Sequence, residues 1–437
     1  MNEFYGNIWE LYGLKSNPFF TDPLLIFGGA IDLKIGFVGR EEELRRLQNV
    51  IYSAGGSRVL VSGDVGVGKT TFVNYVRAIA SQNNFFTTLK EIAVQPEWSG
   101  LDFMMNTLAA IYHTIKVRND MNEEILSKET FRKLQLLVDI VEKKDREFGI
   151  NILAVGGNIG SSTNISIPSP NVHSIQTFFE EIVNEIKEAE YKELIFHYNN
   201  LEILESEELK KLFNSIRDFI QTKDVNFVFI GDLTVPQILN QIRRVSSIMS
   251  ETPIILGSLS IKEIKQLLEK RIKQLEVPGL AAVKPYDDEV ISKLYNLYNG
   301  NLRFILNSIS TVFCELVKDN PIVITNKELV KVLAETGKKR WLDKLTESEK
   351  EVLFLILKEE EITNKKIASM LKKKRQNISK LTNRLLELCA IKIKRTDGKE
   401  KFFSVVHSIK WFLLEEEANK FSTKSNNVSK EIQKALE

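Results

Sequence analysis

The pattern in residues 58–71 limits most strongly how this chain can fold. The β-branched run RVLVS leads directly into the glycine-rich stretch GDVGVGKTT, and the apolar segment FVNYVRAIA follows. A strand, a glycine-rich loop and a helix in this order form a phosphate-binding loop, because the glycines let backbone N–H groups converge on phosphate oxygens and the start of the helix adds positive potential. The sequence therefore predicts an α/β domain that binds a nucleotide.

Each residue type in this loop has a predicted role. Lys69 is placed to reach the β- and γ-phosphates of ATP, and the Thr70 hydroxyl is placed to ligate Mg²⁺. The predicted cofactors are therefore ATP and Mg²⁺. The residues predicted to contact the nucleotide are Gly63, Asp64, Val65, Gly66, Val67, Gly68, Lys69, Thr70 and Thr71.

A second pattern lies shortly before the loop. The segment FVGREEEL, residues 37–44, reads as the start of an amphipathic helix with acids in its first turn. Together with the earlier LYGLKSNPFF and the phosphate loop, it resembles AAA+ ATPases, particularly the origin-recognition (initiator) type and the related STAND-like regulatory ATPases. The resemblance extends roughly over residues 10–340, implies a parallel sheet with a helical lid, and places Gly39 and Arg40 beside the adenine.

The same resemblance assigns two further strands. In ELIFHYNN, Asn199 stands where the family has its magnesium aspartate, and Glu202 is the candidate water-activating acid. In VNFVFIGD, residues 225–232, the strand ends at Asp232, a second carboxylate that could substitute. Asparagine brings no negative charge, so ATP hydrolysis is predicted to be slow. The alternative is that Glu202 is an ordinary acid at the start of the next helix.

Two arginines resemble the family's nucleotide sensors. In QIRRV, Arg244, or less favourably Arg243, resembles the arginine finger that enters a neighbouring subunit's site; the alternative is a pair of exposed charges on a helix. In GNLR, Arg303 resembles the sensor-2 arginine of the lid, where a permanently charged fork can contact γ-phosphate oxygens. The alternative for Arg303 is a salt bridge on a lid helix.

The C-terminal part has a different pattern. Three helical segments and the hairpin IKIKRTDGKEKFFSVV follow Trp341, in the order of a winged helix-turn-helix. Residues 364–401 contain thirteen Lys or Arg against three acids, a local charge of +10 in a chain whose net charge is +2. A localised basic segment favours double-stranded DNA as a partner, although many winged helices bind proteins. The predicted DNA contacts are Arg375, Gln376, Asn377, Lys380 and Arg384 in the groove, with Lys394, Arg395, Lys399 and Lys401 on phosphates.

Composition suggests a cytoplasmic protein. The chain has only two cysteines, in separate segments, and no apolar run approaches the ~20 residues that span a bilayer.

The predicted organisation is an N-terminal extension (1–36), an AAA+ type domain (37–256) with an insertion (149–174), a helical lid (257–340), a winged helix (341–415) and a polar tail (416–437).

These patterns predict a slowly hydrolysing, ATP-binding regulator that holds DNA through its winged helix. ATP would control its assembly as a homo-oligomer or with partner proteins. One alternative is a STAND-like signalling switch, for example in defence against mobile elements, whose winged helix binds protein. Another is a transposition-regulator ATPase that forms filaments on DNA.

Overall fold

The computed structural model describes residues 7–53, 55–121, 123–146, 171–317, 320–359, 361–398 and 400–414, without the side chains of 140–146, 342 and 412–414. The predicted insertion up to residue 170, the polar tail and Lys399 lie outside these residues. The chain forms two compact units: Asp22–Leu259, and Met1–Thr21 with Ser260–Glu437.

The first unit is an α/β domain. It also has two short 3₁₀ helices: Leu201–Ile203 comes directly after its fourth strand, and Phe219–Gln221 comes just before its fifth strand. The helices and strands, in chain order, are α1 (Leu33–Gly36), α2 (Glu41–Ile51), β1 (Ser57–Gly63), α3 (Lys69–Gln82), β2 (Phe86–Thr87), β3 (Ile92–Ala93), α4 (Gly100–Asp120), α5 (Lys128–Arg146), α6 (Val172–Glu188), β4 (Leu194–Asn199), α7 (Ser206–Ser215), β5 (Val225–Gly231), α8 (Val235–Asn240), α9 (Arg243–Ser246) and β6 (Ile254–Leu256).

These strands form one parallel sheet in the order β2-β4-β5-β1-β6, and β3 pairs with β4 beyond β2. Strand β5 is buried at every position, and β1 and β4 are buried at all but one. Continuous apolar runs are typical of parallel strands covered by helices on both faces. Because the strands are parallel, the carboxyl ends of β1, β4 and β5 meet at one edge, which brings Gly63, Asn199 and Gly231 to the same side of the sheet.

The second unit begins with four helices and the N-terminal segment. These are α10 (Ile261–Leu275), α11 (Asp288–Tyr298), α12 (Leu302–Leu316) and α13 (Asn326–Arg340), with 3₁₀ helices at Ile8–Tyr12, Leu342–Lys344 and His407–Leu414. The buried Arg271 guanidinium donates to the carbonyl oxygens of Pro18 and Phe20, at 3.1 and 2.7 Å, and so fixes the N-terminal segment on α10. A capping box joins Ser260 and Glu263 at the start of α10, as the serine-rich start of this helix predicts.

The remaining elements form a winged helix. They are α14 (Glu347–Glu359), β7 (Ile362–Thr363), α15 (Asn364–Met370), α16 (Arg375–Glu387), β8 (Ile391–Asp397) and β9 (Glu400–Val405). The three strands pair antiparallel in the order β7-β9-β8, and Thr346 and Glu349 form the predicted capping box of α14. The predicted fold class, a P-loop parallel sheet with a helical lid and a C-terminal winged helix, is therefore confirmed. Within the described residues, no helix is both long and apolar enough to span a membrane.

Candidate functional site

The glycine-rich loop joins the end of β1 to the start of α3. Gly66 and Gly68 have φ angles of 89° and 93°, a region that side chains with a Cβ rarely adopt. Gly63 is fixed by space as well, since a Cβ there would lie 2.5 Å from the carbonyl oxygen of Leu256 on β6. The loop conformation therefore depends on glycine at three of its predicted positions.

Lys69 is the first residue of α3 and is 8% exposed. Its ammonium donates to the carbonyl oxygens of Gly63, at 2.8 Å, and of Asp64, at 3.1 Å. The charge is thus held at the loop itself, beside the N–H groups at the start of the helix. Such a site attracts an anion, because the helix N-terminus and the ammonium act together.

Arg40 supports the loop from the side. It lies at the N-cap of α2 with a φ of 68°, and one guanidinium nitrogen donates to the carbonyl oxygens of Val67 and Gly257, both at 2.8 Å. The side chain is 8% exposed. Gly39, which has a φ of 70°, turns the chain into this position. Arg40 thus ties the phosphate loop to the segment after β6.

The segment before α1 is attached to α3 beside the loop. The Leu24 N–H donates to the Thr71 hydroxyl at 3.2 Å, and the Asn74 amide donates to the Leu24 carbonyl oxygen at 3.0 Å. Phe37 stacks on Tyr75 with ring centroids 4.2 Å apart. Sequence reasoning did not identify Asn74; its signal is a polar residue three positions before Arg77 in the largely apolar segment FVNYVRAIA.

β4 brings Asn199 to the phosphate loop, as the sequence predicts. Its side-chain nitrogen Nδ2 donates to the Thr70 hydroxyl at 3.1 Å, and its Oδ1 accepts from the backbone N–H of Asn200 at 3.0 Å. Asn200 has a φ of 67°, which turns the chain into the 3₁₀ helix Leu201–Ile203. The residue predicted to replace the magnesium aspartate and the residue predicted to ligate Mg²⁺ are therefore in direct contact.

This contact does not fit a conventional Mg²⁺ site. Mg²⁺ is bound by oxygen atoms, typically through carboxylates and phosphates. Here the group that faces the Thr70 hydroxyl from β4 is an N–H donor without negative charge. Thr70 retains an oxygen that could contact a metal, but β4 supplies no acceptor for the metal's water shell.

Two carboxylates lie just beyond the strand ends. Asp232, after β5, accepts hydrogen bonds at Oδ1 from the N–H and the hydroxyl of Thr234, at 2.8 and 2.6 Å, so its carboxylate is fixed in the local turn. Glu202 is half-buried, and its Oε2 is enclosed with no hydrogen-bond partner among the described residues. An enclosed carboxylate oxygen without a donor is costly, so Glu202 is the carboxylate here that has capacity to accept a proton donor.

A buried Arg77 joins α3 to β4. Its guanidinium donates to the Thr87 hydroxyl at 2.8 Å and to the Asn74 amide oxygen at 3.1 Å, and it lies 3.3 Å from Nδ1 of His197. Burial lowers the pKa of Arg77 to about 10, while the charge of Glu91 acts in the opposite direction. Burial, and then the Arg77 charge, hold the pKa of His197 well below its usual range. His197 is therefore a neutral core residue two positions before Asn199.

Comparison with known families gives a match for part of the first unit. Residues 36–150, which include α2, the phosphate loop and α3, match the family model described as "AAA ATPase domain". Over this segment the chain is similar to AAA ATPase domains. That family implies nucleotide binding, which supports a nucleotide site at the loop around Lys69.

Solved structures that resemble the whole chain do so distantly. One is Aeropyrum pernix ORC1 in complex with DNA, at 15% identity over 88% of this chain and 94% of that chain, with a TM-score of 0.43. A second is Aeropyrum pernix ORC2 with ADPNP and ADP, at 12% identity over 94% of this chain and 100% of that chain, with a TM-score of 0.45. A third is Pyrobaculum aerophilum Cdc6p, at 13% identity over 89% of this chain and 99% of that chain, with a TM-score of 0.39. A search of curated proteins gave no match.

The three candidate sensor arginines are all exposed. Arg243 and Arg244 lie on the four-residue helix α9 of the α/β unit. Arg303 lies in the first turn of α12, after Asn301 caps this helix by accepting from the N–H of Phe304. Their roles toward a nucleotide stay predictions.

The predicted DNA-contacting residues that the structure describes lie on the exposed surface of α16 and on the wing. Helix α16 buries Ile378, Thr382 and Leu385 against the winged-helix core. The residues that it exposes include Arg375, Gln376, Asn377, Lys380 and Arg384. Arg384 pairs with Glu387 at 3.2 Å, whereas Arg375 and Lys380 have no ion pair among the described residues.

Glu361 partly neutralises the wing. Lys394 and Arg395 contact this carboxylate at 3.1 and 2.5 Å, and Arg395 also stacks on the ring of Phe402. The hydrogen bond from Lys394, followed by the one from Arg395, lowers the pKa of Glu361. The sequence does not reveal this pairing, because Glu361 is 34 residues away from Arg395.

Proposed function

We propose that the chain is an ATP-binding switch that hydrolyses ATP slowly and binds double-stranded DNA through its winged helix. The contact between Asn199 and Thr70 carries the first part of this proposal. The loop and the start of α3 supply Lys69 and the helix N-terminus as positive groups, and Arg40 adds its charge from the N-cap of α2, so ATP can bind. The end of β4 supplies an amide in place of the carboxylate that assists hydrolysis, so turnover is slow.

Glu202 is the proposed source of the remaining turnover. A general base must reach the attacking water and carry a free oxygen. Oε2 of Glu202 is enclosed and has no donor among the described residues, whereas the Asp232 carboxylate is fixed in its local turn by two hydrogen bonds from Thr234 to Oδ1. Glu202 is therefore the better candidate to hold a water for attack on the γ-phosphate.

The exposed face of α16 supports the second part of the proposal. Arg375, Gln376 and Asn377 lie at its N-terminal end, and these side chains have donors that suit base edges in a major groove. Arg375 and Lys380 are exposed and unpaired within the described chain, so both charges are available to phosphates. Binding should therefore weaken steeply with salt.

Nucleotide state and DNA binding can be tested together. Fluorescence anisotropy of a labelled duplex, over a series of salt concentrations, is measured without nucleotide, with ADP and with ATP, and sedimentation velocity under the same conditions reports assembly. We expect salt-dependent binding and ATP-dependent assembly in the native chain, and loss of the ATP effect in Lys69→Ala. Absence of duplex binding at every salt concentration would instead favour a protein partner for the winged helix.

A further inference from the structure

We propose that this chain binds ATP with little dependence on Mg²⁺, because the end of β4 presents an amide N–H to Thr70 where a metal site needs an acceptor. The inference rests on the proposed ATP site but concerns a separate property, the contribution of the metal to affinity. Its basis is that an N–H donor faces the hydroxyl, that β4 ends without a negative charge, and that the loop and the first turn of α3 already supply positive groups.

The orientation of the Asn199 amide is fixed by chemistry. The backbone N–H of Asn200 can only donate, so the Asn199 atom 3.0 Å from it is the oxygen Oδ1. The atom 3.1 Å from the Thr70 hydroxyl is then the nitrogen Nδ2, which donates. One lone pair of the hydroxyl is therefore occupied by a hydrogen bond on the side that β4 covers.

An aspartate at this position would act in the opposite way. It could accept from the N–H of Asn200 and, with its other oxygen, accept the Thr70 proton or a metal-bound water. An N–H donor repels a cation and its water protons, and it adds no negative charge. The nearby carboxylates do not restore the missing group: Asp232 is held by Thr234, and Glu202 lies beyond the turn at Asn200.

The loop can balance phosphate charge without a metal. Lys69 is buried at the loop, and the guanidinium of Arg40 lies against the Val67 carbonyl oxygen on its flank. The N–H groups of the loop and of the first turn of α3 add further positive ends. Nucleotide affinity therefore depends on groups of the protein, and removal of Mg²⁺ should weaken ATP binding little.

Isothermal titration calorimetry with ATP, in excess Mg²⁺ and in EDTA, tests the inference directly. For the native chain we expect the two dissociation constants to agree within about threefold, a difference of under ~0.7 kcal/mol. Asn199→Asp preserves the shape of the side chain and adds the acceptor. In that variant we expect Mg²⁺ to strengthen ATP binding by on the order of tenfold or more, the usual effect of a hydrogen bond to a charged group.

Asn200→Asp is the matched control. It adds the same charge one residue later, and aspartate tolerates the φ of 67° at this position. We expect it to gain much less dependence on Mg²⁺ than Asn199→Asp. Equal gains would show that charge alone matters and would overturn the role assigned to the amide facing Thr70.

The remaining outcomes separate this inference from the proposed function. ATP binding by the native chain only in Mg²⁺ would overturn the inference and leave the ATP site in place. No ATP binding in either buffer would overturn the proposed function itself. Similar affinity in both buffers, with dependence on Mg²⁺ gained in Asn199→Asp, would support both.

Discussion

The Asn199 side-chain nitrogen lies 3.1 Å from the Thr70 hydroxyl, so the end of β4 contacts the phosphate loop through an amide. The contact joins strand and loop but carries no negative charge. Binding and hydrolysis of ATP make different demands on this position. The proposed function depends on this difference, because the loop can bind a nucleotide while the amide does little to assist its hydrolysis.

Lys69→Ala should weaken ATP binding by on the order of 100-fold or more, because it removes the charge that the proposed site directs at the phosphates. Titration with a fluorescent ATP analogue measures this loss. Lys223→Ala is the control, since Lys223 is exposed and lies just before the amino end of β5, away from the loop. Equal affinity of the native chain and Lys69→Ala for the ATP analogue would contradict the assignment of this loop as the phosphate-binding site.

Arg40→Ala should lower the free energy of unfolding by about 2 kcal/mol, because the carbonyl oxygens of Val67 and Gly257 would lose a buried donor. Arg46→Ala, on the same helix, removes a half-exposed ion pair with Glu251 and should cost under about 1 kcal/mol. Urea denaturation compares the two variants. A smaller loss of unfolding free energy in Arg40→Ala than in Arg46→Ala would show that the two hydrogen bonds of Arg40 do not stabilise the fold as proposed.

Replacing Arg375 and Lys380 together with alanine should weaken duplex binding on the order of tenfold at moderate salt and reduce the salt slope by about 2. Gel-shift titrations at several salt concentrations measure both quantities. The control is the pair Lys350→Ala and Lys358→Ala, which removes two charges from α14. If both double variants weakened binding equally, α16 would have no special role.

Glu361→Gln should strengthen duplex binding, because it releases Lys394 and Arg395 from their shared carboxylate. The two cations then become available to phosphates, and the salt slope should steepen. The same gel-shift series measures this effect. Unchanged affinity would mean that the wing does not reach the DNA.

The stability of the α/β unit should fall as the pH drops below about 6.5, the usual pKa of an unfolded histidine. His197 has a folded pKa well below that value, so the unfolded chain binds the proton first. The stability from neutral His197 is complete above pH 6.5 and is lost toward lower pH, by at most about 1.4 kcal/mol per unit.

Chemical denaturation between pH 5 and pH 8 measures this dependence. His197→Gln retains an acceptor for Arg77 and should flatten the profile, whereas His173→Gln, which changes an exposed histidine on α6, should not. A native profile that is flat below pH 6.5 would contradict the buried, neutral assignment.

Local patterns predicted more of this molecule than distant contacts did. The phosphate loop could be recognised because strand, glycines and helix are consecutive, and the winged helix because its elements follow one another between Trp341 and Val405. The contact between Arg40 and Gly257 joins residues 217 positions apart and leaves no local pattern. The orphaned oxygen of Glu202 and the pairing of Glu361 depend on three-dimensional packing as well. The sequence predicted which groups belong to the candidate sites, and only the structure showed which of them already make hydrogen bonds or ion pairs.

The most direct test of the account is steady-state ATP hydrolysis by the purified native chain, measured beside Asn199→Asp and Glu202→Gln under conditions where each binds ATP. The account predicts negligible turnover in the native chain, an increase on the order of 10²-fold in Asn199→Asp, and loss of the residual rate in Glu202→Gln. Turnover in the native chain of about 10 per second, a typical enzyme rate, that Asn199→Asp leaves unchanged would contradict it.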